Sequence, residues 1–131
     1  MGDIAETETE PAPAPLILLV EDDILIRLSS GEVLREAGYR VVEADNGEEA
    51  LSLLQAGLGP ALIVSDIRMP GAVDGLKLLD LVRELYPPLR VLLASSHLPL
   101  SREGHRDVRF LPKPYTAQSL VDEVRSMTGG S

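Results

Sequence analysis

The sequence predicts an α/β protein: a five-stranded parallel sheet wound on both faces by helices. Three observations predict it. Short, almost wholly apolar runs recur along the chain, as expected of strands covered on both sides. Between them lie segments with apolar residues at helical spacing, so strand and helix alternate. The helical segments are bracketed by Asp, Asn or Thr at the start and by Gly or Pro at the end.

Residues 1–15 (MGDIAETETEPAPAP) combine four acids with three alternating prolines and read as a disordered tail. The ordered domain is expected over 16–127, with 128–131 as a flexible C-terminus. Leu16 to Val20 is the first strand, and it ends on Glu21-Asp22-Asp23. Ile24, Leu25, Leu28, Val33, Leu34 and Ala37 then recur at helical spacing, with Asp23 as N-cap and Gly38 as the stop. Tyr39 to Ala44 is the second strand. Asp45 or Asn46 caps a helix whose apolar positions are Ala50, Leu51, Leu53 and Leu54, stopped by Gly57 and Gly59. Ala61 to Ser65 is the third strand and runs into Asp66. After a loop from Met69 to Gly75, with Asp74 as a helix start, a third helix carries Leu76, Leu78, Leu79, Val82 and Leu85 until Pro87-Pro88. Val91 to Ala94 is the fourth strand, leading to Ser95. A poorly patterned stretch with Pro99 and Gly104 follows, so a fourth helix there is expected to be short or mobile. Val108 to Leu111 is the fifth strand, ending at Pro112-Lys113-Pro114, and Thr116 caps the last helix with Leu120, Val121 and Val124 inward.

Composition excludes several functions. The net charge is −9, which leaves no basic footprint for nucleic acid. There is no cysteine, so disulfides, zinc–thiolate sites and thiol nucleophiles are ruled out. No apolar run approaches the roughly 20 residues of a membrane span, and the acidic, proline-rich start does not resemble a signal peptide. A soluble, cytoplasmic protein is expected.

Ligands of open parallel sheets bind at the carboxyl ends of the strands. Glu21 and Asp22, Asp66, Ser95 and Lys113 all fall there, from four different strands. Any one alone reads as a strand end turning to solvent; together they read as a site. Three carboxylates within a few ångströms repel by ~4 kcal/mol per close pair at an effective dielectric near 20. A cation must therefore sit among them, or their pKa values must rise. Lys113 offsets one charge and a divalent ion more, and all-oxygen ligation suits Mg²⁺. A carboxylate beside Mg²⁺ and an ammonium is set up to attack phosphorus and form an acyl phosphate, with Ser95 donating to a phosphoryl oxygen.

The stretches LILLVEDD, IVSDIRMPGAVDG, VLLASS and FLPKPY resemble the signature blocks of response-regulator receiver domains, in the right order and over residues 16–127. The resemblance implies a flavodoxin-like strand order, 2-1-3-4-5. It implies Asp66 as phosphoacceptor, with Lys113 pairing the phosphate. It implies Mg²⁺ bound by Asp22 directly, by Glu21 through water, by Asp66 and by the backbone carbonyl of Arg68. Ser95 is then the switch hydroxyl and Phe110 the switch aromatic, and the Lys113–Pro114 bond is cis. The implied partners are a sensor histidine kinase or phosphotransfer protein and an unidentified downstream protein, with no nucleic acid or membrane. A monomer or weak dimer is expected. Such a chain is a phosphoacceptor switch that catalyses only its own phosphoryl transfer and dephosphorylation.

Two departures from the family pattern stand out. The loop from Met69 to Gly75 is one residue longer than usual, and the interval from Ser95 to Lys113 is a few residues short, so the family's partner surfaces are not carried over there. Phe110 keeps two readings, plain core residue or switch. His97 and His105 read as exposed loop residues. The chain ends soon after Met127, so a stand-alone receiver, signalling or acting as a phosphate sink, is expected; a receiver cut from a hybrid histidine kinase is the alternative. A small Mg²⁺-dependent aspartyl-phosphate phosphatase is disfavoured because Arg68 stands where a second acid is needed. A flavodoxin-like electron carrier is disfavoured by the acidic first loop, and a pseudo-receiver by the complete set of site residues.

Overall fold

A computed structural model describes residues 13–96 and 108–129. In chain order the elements are β1 (Leu16–Val20), α1 (Ile24–Glu36), β2 (Arg40–Ala44), α2 (Gly47–Gln55), β3 (Leu62–Asp66), α3 (Gly75–Leu85), β4 (Arg90–Ser95), β5 (Arg109–Pro112) and α4 (Ala117–Thr128). All strand pairs are parallel and the order is β2-β1-β3-β4-β5, as the resemblance implied.

Alternate residues of each strand feed two cores, because successive side chains point to opposite faces. Leu18, Val20 and Ile63 pack with Leu54 of α2 and Leu78 and Val82 of α3. Ile17, Leu19 and Val64 pack with Leu34 of α1 and Leu120 and Val124 of α4. Both faces are covered, which is why the central strands read as unbroken apolar runs.

Local chemistry sets the helix starts. The Asp23 carboxylate accepts the N–H groups of Leu25 and Ile26 at 2.9 and 3.2 Å. Asn46, Asp74 and Thr116 accept from Glu49, Lys77 and Ser119 in the same way. Asn46 rather than Asp45 caps α2. Gly38 follows the α1 C-cap with φ of 101°, a backbone region that glycine enters without steric cost. Pro112 closes β5, which lies at the sheet edge, where its missing N–H costs no ladder bond.

Helix α1 departs from the expected orientation. Ile24, Leu25 and Leu28 recur at the spacing of an apolar helix face, yet they are 56%, 75% and 51% exposed. The inward stripe is Arg27, Ser30, Gly31 and Leu34. The helix lies close on β2: a Cβ added at Gly31 would meet the Glu43 carboxylate at 2.9 Å. Small and polar residues fill that face for this reason, and apolar periodicity points the wrong way. The expected fourth helix, His97 and His105 lie outside the described residues, as does most of the 1–15 tail. Among the described residues no helix is long and apolar enough to cross a membrane.

Candidate functional site

Strand β1 delivers its acids to the end of the sheet. The Glu21 N–H still bonds the Ala44 carbonyl (3.1 Å), so the chain remains paired to β2 one residue past β1. Glu21 is consequently buried, whereas Asp22 stands exposed at the mouth. Asp66 closes the neighbouring β3, whose Ser65 is in register with Val20. Carboxylate oxygens of Glu21, Asp22 and Asp66 all lie within 4.8 Å of one another.

Lys113 reaches this cluster from the turn after β5, where its N–H donates to the Ser95 carbonyl (2.9 Å) and its peptide bond to Pro114 is cis. Its Nζ lies 2.7 Å from Glu21 Oε1 and 3.3 Å from Asp66 Oδ2. The other Glu21 oxygen, Oε2, accepts the Asp23 N–H at 3.2 Å.

Burial pushes the Glu21 carboxyl above the usual carboxylate range; the Lys113 hydrogen bond opposes this and the nearby Asp66 charge adds to it. For Lys113 burial works downward, but the Glu21 hydrogen bond and the two carboxylate charges outweigh it and hold the ammonium above its ordinary value. One ammonium among three carboxylates leaves two negative charges uncompensated. The donors are all oxygen. That charge and donor set fit a hard divalent cation such as Mg²⁺.

The remaining sequence-derived candidates are placed as follows. Ser95 closes β4 and is buried, in register with Pro112 beside the Lys113 turn. Phe110 lies opposite Leu93 and is half-buried against the core on the α2–α3 face. Arg68 sits two residues past Asp66 with its side chain exposed.

Four features escaped the sequence reading. Arg27 extends beneath the site and donates from Nη1 to the Glu21 carbonyl and to Asp45, both at 2.8 Å. Its only sequence signal is its place on the Arg27-Ser30-Gly31-Leu34 stripe, spaced by three and four. The Ser30 hydroxyl bonds Tyr115 Oη (2.8 Å), joining α1 to the turn after β5, and burial raises the Tyr115 phenol. Beside Lys113 a groove of about 450 Å³ opens, lined by Leu25, Ile26, Ser29, Pro114 and Tyr115 among others. The long loop after Asp66 is tied by the Glu48 carboxylate, which accepts the Ala72 N–H at 3.0 Å.

The response regulator receiver domain family matches residues 17–125. The chain is 38% identical to the response regulator protein FleR of Pseudomonas aeruginosa over 117 residues, covering 85% of this chain and 24% of FleR. It is 35% identical to the response regulator receiver protein CpdR of Brucella abortus over 116 residues, covering 85% of this chain and 94% of CpdR. The chain therefore spans about a quarter of one relative and nearly all of the other. Among solved structures, the response regulator TrrA of Thermotoga maritima, in complex with Mg²⁺–BeF, is 29% identical with a TM-score of 0.76, covering 86% of this chain and 98% of TrrA. With its doubly wound sheet and an acidic cluster at the carboxyl edge, the chain belongs to the response regulator receiver domain family.

Proposed function

We propose that this chain is a phosphorylation switch of two-component signalling. In this reading Asp66 takes a phosphoryl group from a phosphohistidine on a sensor histidine kinase or phosphotransfer protein. The Asp66 carboxylate attacks phosphorus, the P–N bond to the donor histidine breaks, and the histidine leaves with the bonding pair. The observation that carries the reading is Lys113 bridging Glu21 and Asp66 within a three-carboxylate cluster that fits a divalent cation.

Mg²⁺, held by Asp22, Asp66 and the Arg68 carbonyl with Glu21 through water, would neutralise charge on the transferring phosphoryl oxygens. Lys113 pairs one of those oxygens as the acyl phosphate forms, and the Ser95 hydroxyl donates to another. Phe110 acts as the switch aromatic that follows Ser95. The exposed Ile24, Leu25 and Leu28 and the groove beside Lys113 give the donor protein an apolar surface close to Asp66. Output passes to a protein partner, with the chain a monomer or weak dimer and the switch unit spanning residues 16–127.

The test is intact-mass spectrometry after incubation with acetyl phosphate and Mg²⁺, with acetyl phosphate consumption followed in the same samples. A single phosphoryl adduct, or consumption, that requires both Mg²⁺ and Asp66 supports the reading. Neither adduct nor consumption that depends on Asp66, compared with Asp66→Ala, would overturn small-donor phosphorylation.

A further inference from the structure

Arg27 is a cation on the buried stripe of α1, with its side chain only 15% exposed. Its Nη1 donates to the backbone carbonyl of Glu21 and to Asp45 Oδ1, both at 2.8 Å, and its Nε lies 3.4 Å from Glu43 Oε1. Glu43 is held in turn by Arg35 at 2.9 Å. One planar guanidinium thus spans the turn after β1 and the carboxyl end of β2. The turn it grips bears both acids of the cluster: Glu21 supplies the carbonyl, and Asp22 follows immediately.

The backbone N–H groups of that turn are also restrained, Glu21 N–H by the Ala44 carbonyl and Asp23 N–H by the Glu21 carboxylate. Neither restraint acts on the peptide between Glu21 and Asp22, and the Glu21 carbonyl belongs to that peptide. Its orientation sets where the Asp22 side chain leaves the backbone. Asp22 is exposed, so the direction of its carboxylate follows from the backbone that carries it. We propose that Arg27 is a positioning residue for the divalent-cation site: by clamping the Glu21–Asp22 peptide to the end of β2, it aims Asp22 at the Glu21–Asp66 pair. The proposal rests on the cation-site reading given above.

Charge and geometry make opposite claims here, which yields a test by sign. Arg27 is itself a cation near a cation site, so electrostatics alone predicts that removing it tightens Mg²⁺ binding. Positioning predicts that removal weakens it, by about tenfold, as for other residues that orient metal ligands. The experiment is a titration of the full chain with MgCl₂, followed by backbone amide NMR shifts, for wild type, Arg27→Gln and Arg27→Lys. Urea unfolding in EDTA monitors the fold of each.

Weaker Mg²⁺ binding in both variants is expected, because Lys keeps the charge but lacks the rigid planar fork whose Nη1 and Nε reach the Glu21 carbonyl, Asp45 and Glu43 together. Unchanged or tighter binding in Arg27→Gln, or full affinity in Arg27→Lys, overturns the proposal. If Arg27→Gln does not fold, Arg27→Lys decides alone. A wild-type protein that shows no Mg²⁺-dependent shifts at Glu21, Asp22 and Asp66 overturns the cation site itself and this inference with it. A wild type that binds while its variants do not differ overturns only the role of Arg27.

Discussion

Replacing Lys113 by Gln tests the electrostatic argument most directly. Its two carboxylate contacts, at 2.7 and 3.3 Å, are each worth ~5–6 kcal/mol of attraction at an effective dielectric near 20. Much of this is offset by desolvation of the three charges, so the relevant quantity is the cost of leaving the acids without their cation. That cost is about 3–5 kcal/mol for a buried pair. The side chains of Lys113, Glu21 and Asp66 are 12%, 4% and 13% exposed, and this partial access to water lowers the expectation to about 2–3 kcal/mol. Urea unfolding followed by circular dichroism, in EDTA at neutral pH, measures it. With saturating Mg²⁺ the deficit is expected to fall by roughly half, because the variant gains more from a bound cation than wild type does. The folded-state pKa of Lys113 lies above the unfolded value of 10.5, so the stabilisation is fully present below that pH. It is lost as pH rises through the folded value, and there the two proteins converge. On the acid side they converge as Glu21, raised chiefly by burial, takes up its proton. A Lys113→Gln protein within about 0.5 kcal/mol of wild type in EDTA would refute the claim that the cluster is strained without its ammonium.

Three further expectations concern the surroundings of the site. Leu25→Gln and Leu28→Gln each change stability by less than about 0.5 kcal/mol despite the loss of a large apolar side chain, because both residues face solvent; a urea midpoint showing more than about 1 kcal/mol lost would mean they are covered. Gly75→Ala places a Cβ 2.2 Å from the Asp66 carbonyl oxygen, so it is expected to cost about 2–3 kcal/mol and to slow acetyl phosphate labelling by displacing Asp66. Tyr115→Phe breaks the 2.8 Å bond to the buried Ser30 and is expected to cost about 1–2 kcal/mol by urea unfolding. Wild-type stability declines above pH 10.0 toward the raised folded value of the phenol, and the variant lacks that contribution to the slope.

The strands and caps were legible because each has a local physical cause. A strand covered on both faces must be apolar at every position, which marks Ile17 to Val20 and Leu62 to Val64 without reference to the rest of the chain. A cap is a side-chain oxygen two or three residues from the N–H it satisfies, and Asp23, Asn46, Asp74 and Thr116 carry that signal in their residue types. The gathering of Glu21, Asp22, Asp66 and Lys113 was legible from topology, since parallel strands deliver their last residues to one edge. Arg27 was not. Its role needs the end of β2 beside the turn after β1, a relation between residues 18 apart that no local pattern encodes. Glu48, which ties the loop after Asp66 from 24 residues away, was hidden for the same reason.

The inverted face of α1 has a reason that joins fold to site. A helix resting on a sheet normally turns its apolar residues inward, and Leu34 in the C-terminal half of α1 does so. In the N-terminal half the inward positions lie against the acidic edge of the sheet, where an apolar side chain would leave polar groups unsatisfied. Arg27 and Ser30 occupy them and satisfy the Glu21 carbonyl and the Tyr115 hydroxyl. Ile24, Leu25 and Leu28 are then left on the outside, beside the groove that leads to Lys113. Exposed leucines that add nothing to the core are a standing aggregation hazard unless a partner covers them. The half of α1 next to Asp66 is thus shaped by the site on one face and presents apolar surface on the other. If that surface receives the phosphodonor, Leu25→Gln combined with Leu28→Gln will leave stability and acetyl phosphate labelling near wild type, since neither residue touches the cluster. A double variant that loses labelling with the small donor would place these leucines in the chemistry and break the division between the two faces.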